Sequence, residues 1–113
     1  MSIQIMQRIK TVEDDVLIVG IEGLNGSYLM WQKGLSASTG INDGVYFEMN
    51  DQIHGGYNLV KKCAMDNEGV TLSLVGGESV KFPFPPGFDA QLELKQGLRE
   101  IYQGVEHVLL FSI

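Results

Sequence analysis

Asp43-Gly44-Val45-Tyr46-Phe47-Glu48-Met49-Asn50-Asp51-Gln52 alternates apolar and polar residues along most of its length. Val45, Phe47 and Met49 share one face, and Tyr46, Glu48 and Asn50 share the other. This is the pattern of a strand that buries one side against a core and shows the other to water. Phe47 is therefore expected in the core and Glu48 outside it, because adjacent side chains leave opposite faces of a pleat. The polar face combines an aromatic ring with hydrogen-bonding groups, a mixture that suits contact with another protein.

Upstream of this strand, residues 34–40 have the small, polar composition of a mobile loop. Residues 27–33 resume a strand, and Asn25-Gly26 supplies the pair best suited to the positive φ angles of a type I′ turn, so a hairpin is expected. Residues 16–21, Val-Leu-Ile-Val-Gly-Ile, are apolar on both faces and fit a central strand in which Gly20 marks a bulge or a close backbone approach. Glu13-Asp14-Asp15 makes an acidic turn, preceded by a first strand around Ile3 and Ile5.

Downstream, His54-Gly55-Gly56 suggests a flexible connection into a strand over residues 57–65, where Lys61-Lys62 interrupts the alternation as a bulge or exposed edge. Asp66-Asn67-Glu68-Gly69 has the residues of a type I turn closed by a left-handed glycine, and Val70, Leu72 and Leu74 alternate after it. Gly76-Gly77 provides another tight turn into residues 79–84, where Val80, Phe82 and Phe84 point one way and Pro83 marks an edge strand. Pro85-Pro86-Gly87 ends the strands. Asp89 is placed to cap a helix running to about Gln103, with Leu94, Leu98, Ile101 and Val105 as its apolar stripe and Gly104 at its end. A final strand is expected within residues 105–113. The sum is one α+β domain over residues 1–113, mostly β, with about seven or eight mainly antiparallel strands and one C-terminal helix packed on the sheet.

A chain of 113 residues, 44% hydrophobic and 19% charged, has the make-up of an ordinary globular protein with one core. No run is apolar enough to span a bilayer, and the alternating N-terminus does not resemble a signal peptide. The single cysteine, Cys63, forms no internal disulfide, so a cytoplasmic location is expected. Fourteen acidic residues against eight basic ones give a net charge of -6, which opposes binding to a nucleic-acid backbone and is compatible with a basic partner, although such acidity more often serves solubility.

Catalytic constellations are weak. One cysteine and two histidines, His54 and His107, stand in unrelated contexts and make no zinc set. Cys63 lies inside a strand without the cationic setting that activates a thiol. Glu48 and Asp51, at odd separation along a strand, point to opposite faces instead of forming a glycosidase pair. Gly20-Ile21-Glu22-Gly23 lacks the spacing of a phosphate loop. Tyr28, Trp31, Tyr46 and Tyr57 are candidates for a sugar platform, although aromatic residues in strands more often pack in a core. No enzyme, cofactor or metal is expected.

Tyr28-Leu29-Met30-Trp31-Gln32-Lys33, Asp43-Gly44 with Tyr46, Glu48 and Asp51-Gln52, and Val70-Thr71-Leu72-Ser73-Leu74 together resemble the Imm10 family of bacterial immunity proteins. Trp31 and Lys33 stand where the family pattern has an aliphatic residue and arginine. The resemblance implies a mostly β antidote, encoded beside a polymorphic toxin and used in bacterial competition, which binds the toxin domain stoichiometrically and without turnover. A nuclease toxin with a basic cleft suits the acidic charge. The partner-binding residues expected on this reading are Glu13, Asp14, Asp15, Asp43, Tyr46, Glu48, Asn50 and Asp51. The alternative is a small carbohydrate-binding or other non-catalytic β-rich binding module.

Overall fold

The chain doubles back through five consecutive antiparallel strands before it builds a second sheet. The computed structural model describes residues 10–112, and at Leu24 and residues 51–54 it describes the backbone alone. The expected strand around Ile3 and Ile5 lies outside the described residues. The first sheet runs in chain order through β1 (Lys10–Glu13), β2 (Val16–Glu22), β3 (Tyr28–Gly34), β4 (Tyr46–Met49) and β5 (Asp51–Tyr57). The second comprises β6 (Val60–Met65), β7 (Gly69–Leu74), β8 (Ser79–Pro83) and β9 (Leu109–Phe111), in the order β8-β7-β6-β9. Among the described strands only β9 is parallel to its neighbour, β6. The helix α1 (Gln91–Ile101) lies between β8 and β9 in the chain. The fold is α+β and mostly β, with nine strands among the described residues against the seven or eight expected.

Two of the nine were not expected: β1, which takes in Glu13 of the acidic turn, and β5, which arises at Asn50. This residue sits at φ 67°, and its side-chain Oδ1 accepts from the Tyr28 N–H at 3.0 Å while its own N–H donates to the Tyr28 carbonyl at 3.1 Å. Asparagine tolerates the left-handed region, so the chain reverses there and Asp51 opens β5. His54-Gly55-Gly56 belongs to β5 and is not a connection: Gly56 pairs with Phe47, and a Cβ on it would lie 3.2 Å from Leu59. The glycine serves a close approach, and the reversal falls two residues later at Asn58, φ 57°.

Other turns follow the residue chemistry. Asp14 and Asp15, at φ 51° and 64°, close the β1–β2 hairpin, and Asn25 and Gly26, at 59° and 78°, close β2–β3. Gly20 pairs with Met30 in unbroken register, so no bulge occurs there. Residues 34–43 are not an open loop. They form two short 3-10 turns around Thr39, whose Oγ1 accepts from the Leu35 and Ser36 amides and donates to the Asp15 carbonyl at 3.0 Å.

In the second sheet the register shifts between Val60 and Lys62, which leaves both Lys61 and Lys62 exposed, as the sequence suggests. Asp66 Oδ1 accepts from the amides of Glu68 and Gly69, but Gly69 is not left-handed. It begins β7 opposite Pro83, where a Cβ would stand 2.4 Å from the Phe82 carbonyl oxygen. Pro83 does lie on an edge strand.

Leu94, Leu98 and Ile101 of α1 are fully buried, while Val105 lies beyond the helix and is exposed. Tyr102, the C-cap, takes the place expected for Val105, and Gly104 at φ 91° turns the chain away. The N-cap is Ala90 without a side-chain bond, so Asp89 does not cap; the helix starts one residue too late for it. Both sheets and α1 contribute to one core, in which Trp31 and Phe47 pack with ring centres 5.5 Å apart. Gly97 lets α1 approach Val19, whose methyl would stand 3.0 Å from an added Cβ.

Candidate binding face

Residues paired across an antiparallel ladder point to the same side, so the register of the first sheet sorts its side chains into two faces. Lys10, Val19, Trp31, Phe47 and Gly56 form one row on the helix side. Leu17 and Lys33 pair on that side as well. Lys10 reaches Glu100 of α1 at 2.5 Å, and Lys33 Nζ donates to the Gln103 carbonyl at 3.4 Å. Both lysines of the sheet are therefore turned toward the helix.

The outer face holds the row Thr11, Ile18, Gln32, Tyr46 and Tyr57, then Gly20, Met30 and Glu48, then Glu22 and Tyr28. Glu13 and Val16 pair at its other end. It carries three tyrosines, three glutamates and several half-buried apolar residues, with no lysine or arginine among its described side chains. The face is therefore net negative.

Glu48 is the centre of this face and corrects the expectation that it is open to water: it is only 6% exposed. Alternation decides which side a residue faces but not what covers it. Here Tyr28 and Tyr46 close over the carboxylate from adjacent positions. The Tyr46 hydroxyl donates to Oε1 at 2.8 Å, and the Tyr28 hydroxyl donates to Oε2. A carboxylate withdrawn from water is costly unless hydrogen-bonded, and the two phenols meet that demand. The Tyr46 pKa is raised, first by its hydrogen bond to Glu48, then by desolvation and by the negative charge of Glu48. Tyr57 meets Tyr46 edge to face, with centroids 5.5 Å apart, and stays 56% exposed. Met30, Gln32, Tyr46, Glu48 and Tyr57 line a shallow cleft of about 410 Å³.

The eight expected partner-binding residues do not form one site. Tyr46 and Glu48 come together, and Glu13 lies on the same face in an end row. Asp14 and Asp15 are spent on the hairpin turn, and Asp43 ends a 3-10 turn with its carbonyl accepting from Asn58 Nδ2 at 3.4 Å. These three lie where β2 and β4 begin. Asn50 is a turn residue at the opposite end of the sheet, clamped to β3, and the Asp51 side chain lies outside the description. Tyr28, Met30, Gln32, Tyr57 and Glu22 join the face without having been expected there as a set. The Asn25-Gly26 hairpin held the signal, because it fixes which residues of β3 share a side. Of the four aromatic residues considered as a sugar platform, the three tyrosines share the outer face and Trp31 is fully buried.

Other groups offer less chemistry. Cys63 is fully buried, and desolvation pushes its thiol up to about 12, which keeps it from acting as a nucleophile near neutral pH. Tyr102 is raised as well, mainly by burial, and the nearby Trp31 indole opposes this without reaching hydrogen-bond geometry. A second cleft of about 330 Å³ lies beside the end of α1, between Val45, Val60, Tyr102 and Val105. Among the described residues no group of three or more His, Cys, Asp or Glu is placed to hold a metal ion, and no helix is long and apolar enough to cross a membrane. No protein-family model, curated protein or solved structure matches the chain.

Proposed function

We propose that the protein is a bacterial immunity protein that binds a toxin domain through the outer face of its first sheet and neutralises it stoichiometrically, without turnover. The observation that carries the reading is the tyrosine-glutamate face itself. It is half-buried and aromatic, it carries three glutamates with no lysine or arginine among its described side chains, and the lysines of its own strands are turned away. Tyrosines offer large, rigid contact area, and an acidic face complements a basic cleft such as a nuclease presents to its substrate. The resemblance to the Imm10 family supplies the partner class, and its quoted residues include Tyr28, Met30, Gln32, Tyr46 and Glu48, which lie on this face. With one buried cysteine and no disulfide, the protein is suited to act in the cytoplasm, where it meets the toxin before damage is done.

The test is co-expression with the toxin-domain gene encoded next to it. Rescue of growth together with a one-to-one complex supports immunity, and neither rescue nor binding removes the assignment. The Tyr46–Tyr57 pair beside Gln32 also suits a sugar ring, so a second reading is a carbohydrate-binding module. Saturable binding to an oligosaccharide panel, with the toxin ignored, would favour it.

A further inference from the structure

We infer that the cleft between Met30, Gln32, Tyr46, Glu48 and Tyr57 receives one arginine side chain of the partner protein. The inference rests on the reading of this face as a protein-binding surface and names the group that the surface recognises.

The cleft is rich in acceptors and poor in free donors. The phenol hydrogens of Tyr28 and Tyr46 are committed to the Glu48 oxygens, one to each. A carboxylate has room for about four hydrogen bonds, so both oxygens retain accepting capacity. Gln32 gives one amide hydrogen to Met30 Sδ at 3.7 Å, and its carbonyl oxygen is a further acceptor. No lysine or arginine among the described residues pairs with Glu48. A buried carboxylate that is hydrogen-bonded only by neutral phenols among the described residues has no counter-charge, and a cation would supply one.

The shape favours guanidinium over ammonium. Two carboxylate oxygens accept a planar fork of N–H donors in bidentate fashion, and the exposed ring of Tyr57 offers its face for stacking. The Met30 thioether provides a soft apolar wall for the three-carbon stem. An anionic ligand would be repelled by the carboxylate and would find only the Tyr57 hydroxyl and the second Gln32 N–H to hold it. The arrangement also matches a binding hot spot: a pocket central in its face, ringed by aromatic groups, that takes one arginine anchor.

The full chain is titrated with N-acetyl-arginine amide and, as an uncharged isostere, N-acetyl-citrulline amide, while backbone amide chemical shifts are followed. Arginine amide is expected to give saturable shifts centred on Met30, Gln32, Tyr46, Glu48 and Tyr57, with half-saturation at millimolar concentration, roughly what one side chain sustains. Citrulline amide is expected to bind at least about tenfold more weakly, and Glu48→Gln to abolish the preference. Tyr57→Ala, at an exposed position outside the core, weakens arginine binding and serves where Glu48→Gln does not fold. Shifts that never saturate, that centre elsewhere, or that are equal for the two probes overturn the arginine pocket. Toxin rescue without arginine binding removes the pocket and leaves immunity standing. Arginine binding without rescue does the reverse.

Discussion

Phe47 and Glu48 leave opposite sides of β4, yet both are withdrawn from water, at 1% and 6% exposure. Phe47 packs against Trp31, and Phe47→Ala is expected to cost about 3 to 5 kcal/mol in urea unfolding, the usual range for truncating a buried aromatic ring. Glu48→Ala removes the shared acceptor of two phenols that can turn to water, so a smaller loss of about 1 to 3 kcal/mol is expected. Losses of equal size would show that Glu48 anchors more than the tyrosine pair. The Phe47 side of this contrast is legible in the sequence. The Glu48 side is not, because its cover comes from Tyr28 on another strand. Alkaline titration tests the same residues. The Tyr46 phenol holds its proton above the ordinary range, so Glu48→Gln is expected to shift its ultraviolet titration to lower pH. Cys63 is raised in the folded state from 9.0 to about 12, so the stability it contributes is complete below the lower value and is lost as pH climbs through the upper one. Stability is therefore expected to fall across that interval, and Cys63→Val to remove part of the decline.

At the scale of elements, glycine in this chain carries two different meanings that composition does not separate. Gly69 is needed because β7 and β8 approach until a Cβ would press on the Phe82 carbonyl, whereas the nearest atom to a Cβ on Gly76 is Glu78 Oε1, at 3.6 Å. Gly69→Ala is expected to cost about 1 to 3 kcal/mol or more, as overpacking does, and Gly76→Ala to change stability by less than about 0.5 kcal/mol. Thermal unfolding of the two variants checks the pair, and similar melting points would contradict the close approach. The same ambiguity hid β5, where Gly55-Gly56 suggests a hinge although Gly56 lies under Leu59. Turns were legible wherever a residue type answers a backbone demand, as at Asn25-Gly26. The end of α1 was not, since Tyr102 and Val105 both fit an apolar stripe and only the core decides between them.

For the whole molecule, the net charge of -6 hides a division between the two outer faces. The first sheet presents Glu13, Glu22 and Glu48 with three tyrosines. The second presents Lys62, Ser73 and Ser79 in one row and Ala64, Thr71, Lys81 and Leu110 in the next, with no acidic residue in either row. The excess of acid was legible in the sequence, but the separation of glutamates from lysines on the first sheet depends on register across four strand pairings. If the acidic face steers a basic partner, reversing Glu13 and Glu22 to lysine is expected to slow association and flatten its salt dependence while the fold survives. Screening over roughly 8 Å in physiological salt confines any large effect to charges at or beside the contact. Stopped-flow association at several salt concentrations reads this out, and rates unchanged by the reversals would dismiss steering.

The claim that the first sheet's outer face holds the toxin is tested most directly by the dissociation constant for the toxin domain encoded beside the protein, measured for two double variants. Glu48→Gln with Tyr57→Ala alters the outer face of the first sheet, and Lys62→Glu with Lys81→Glu alters that of the second. The first variant is expected to weaken binding by at least about thirtyfold, the size of a hot-spot loss, and the second to leave it within about threefold of the unaltered chain. Unchanged binding by the first variant, or a comparable loss from the second, would contradict the claim.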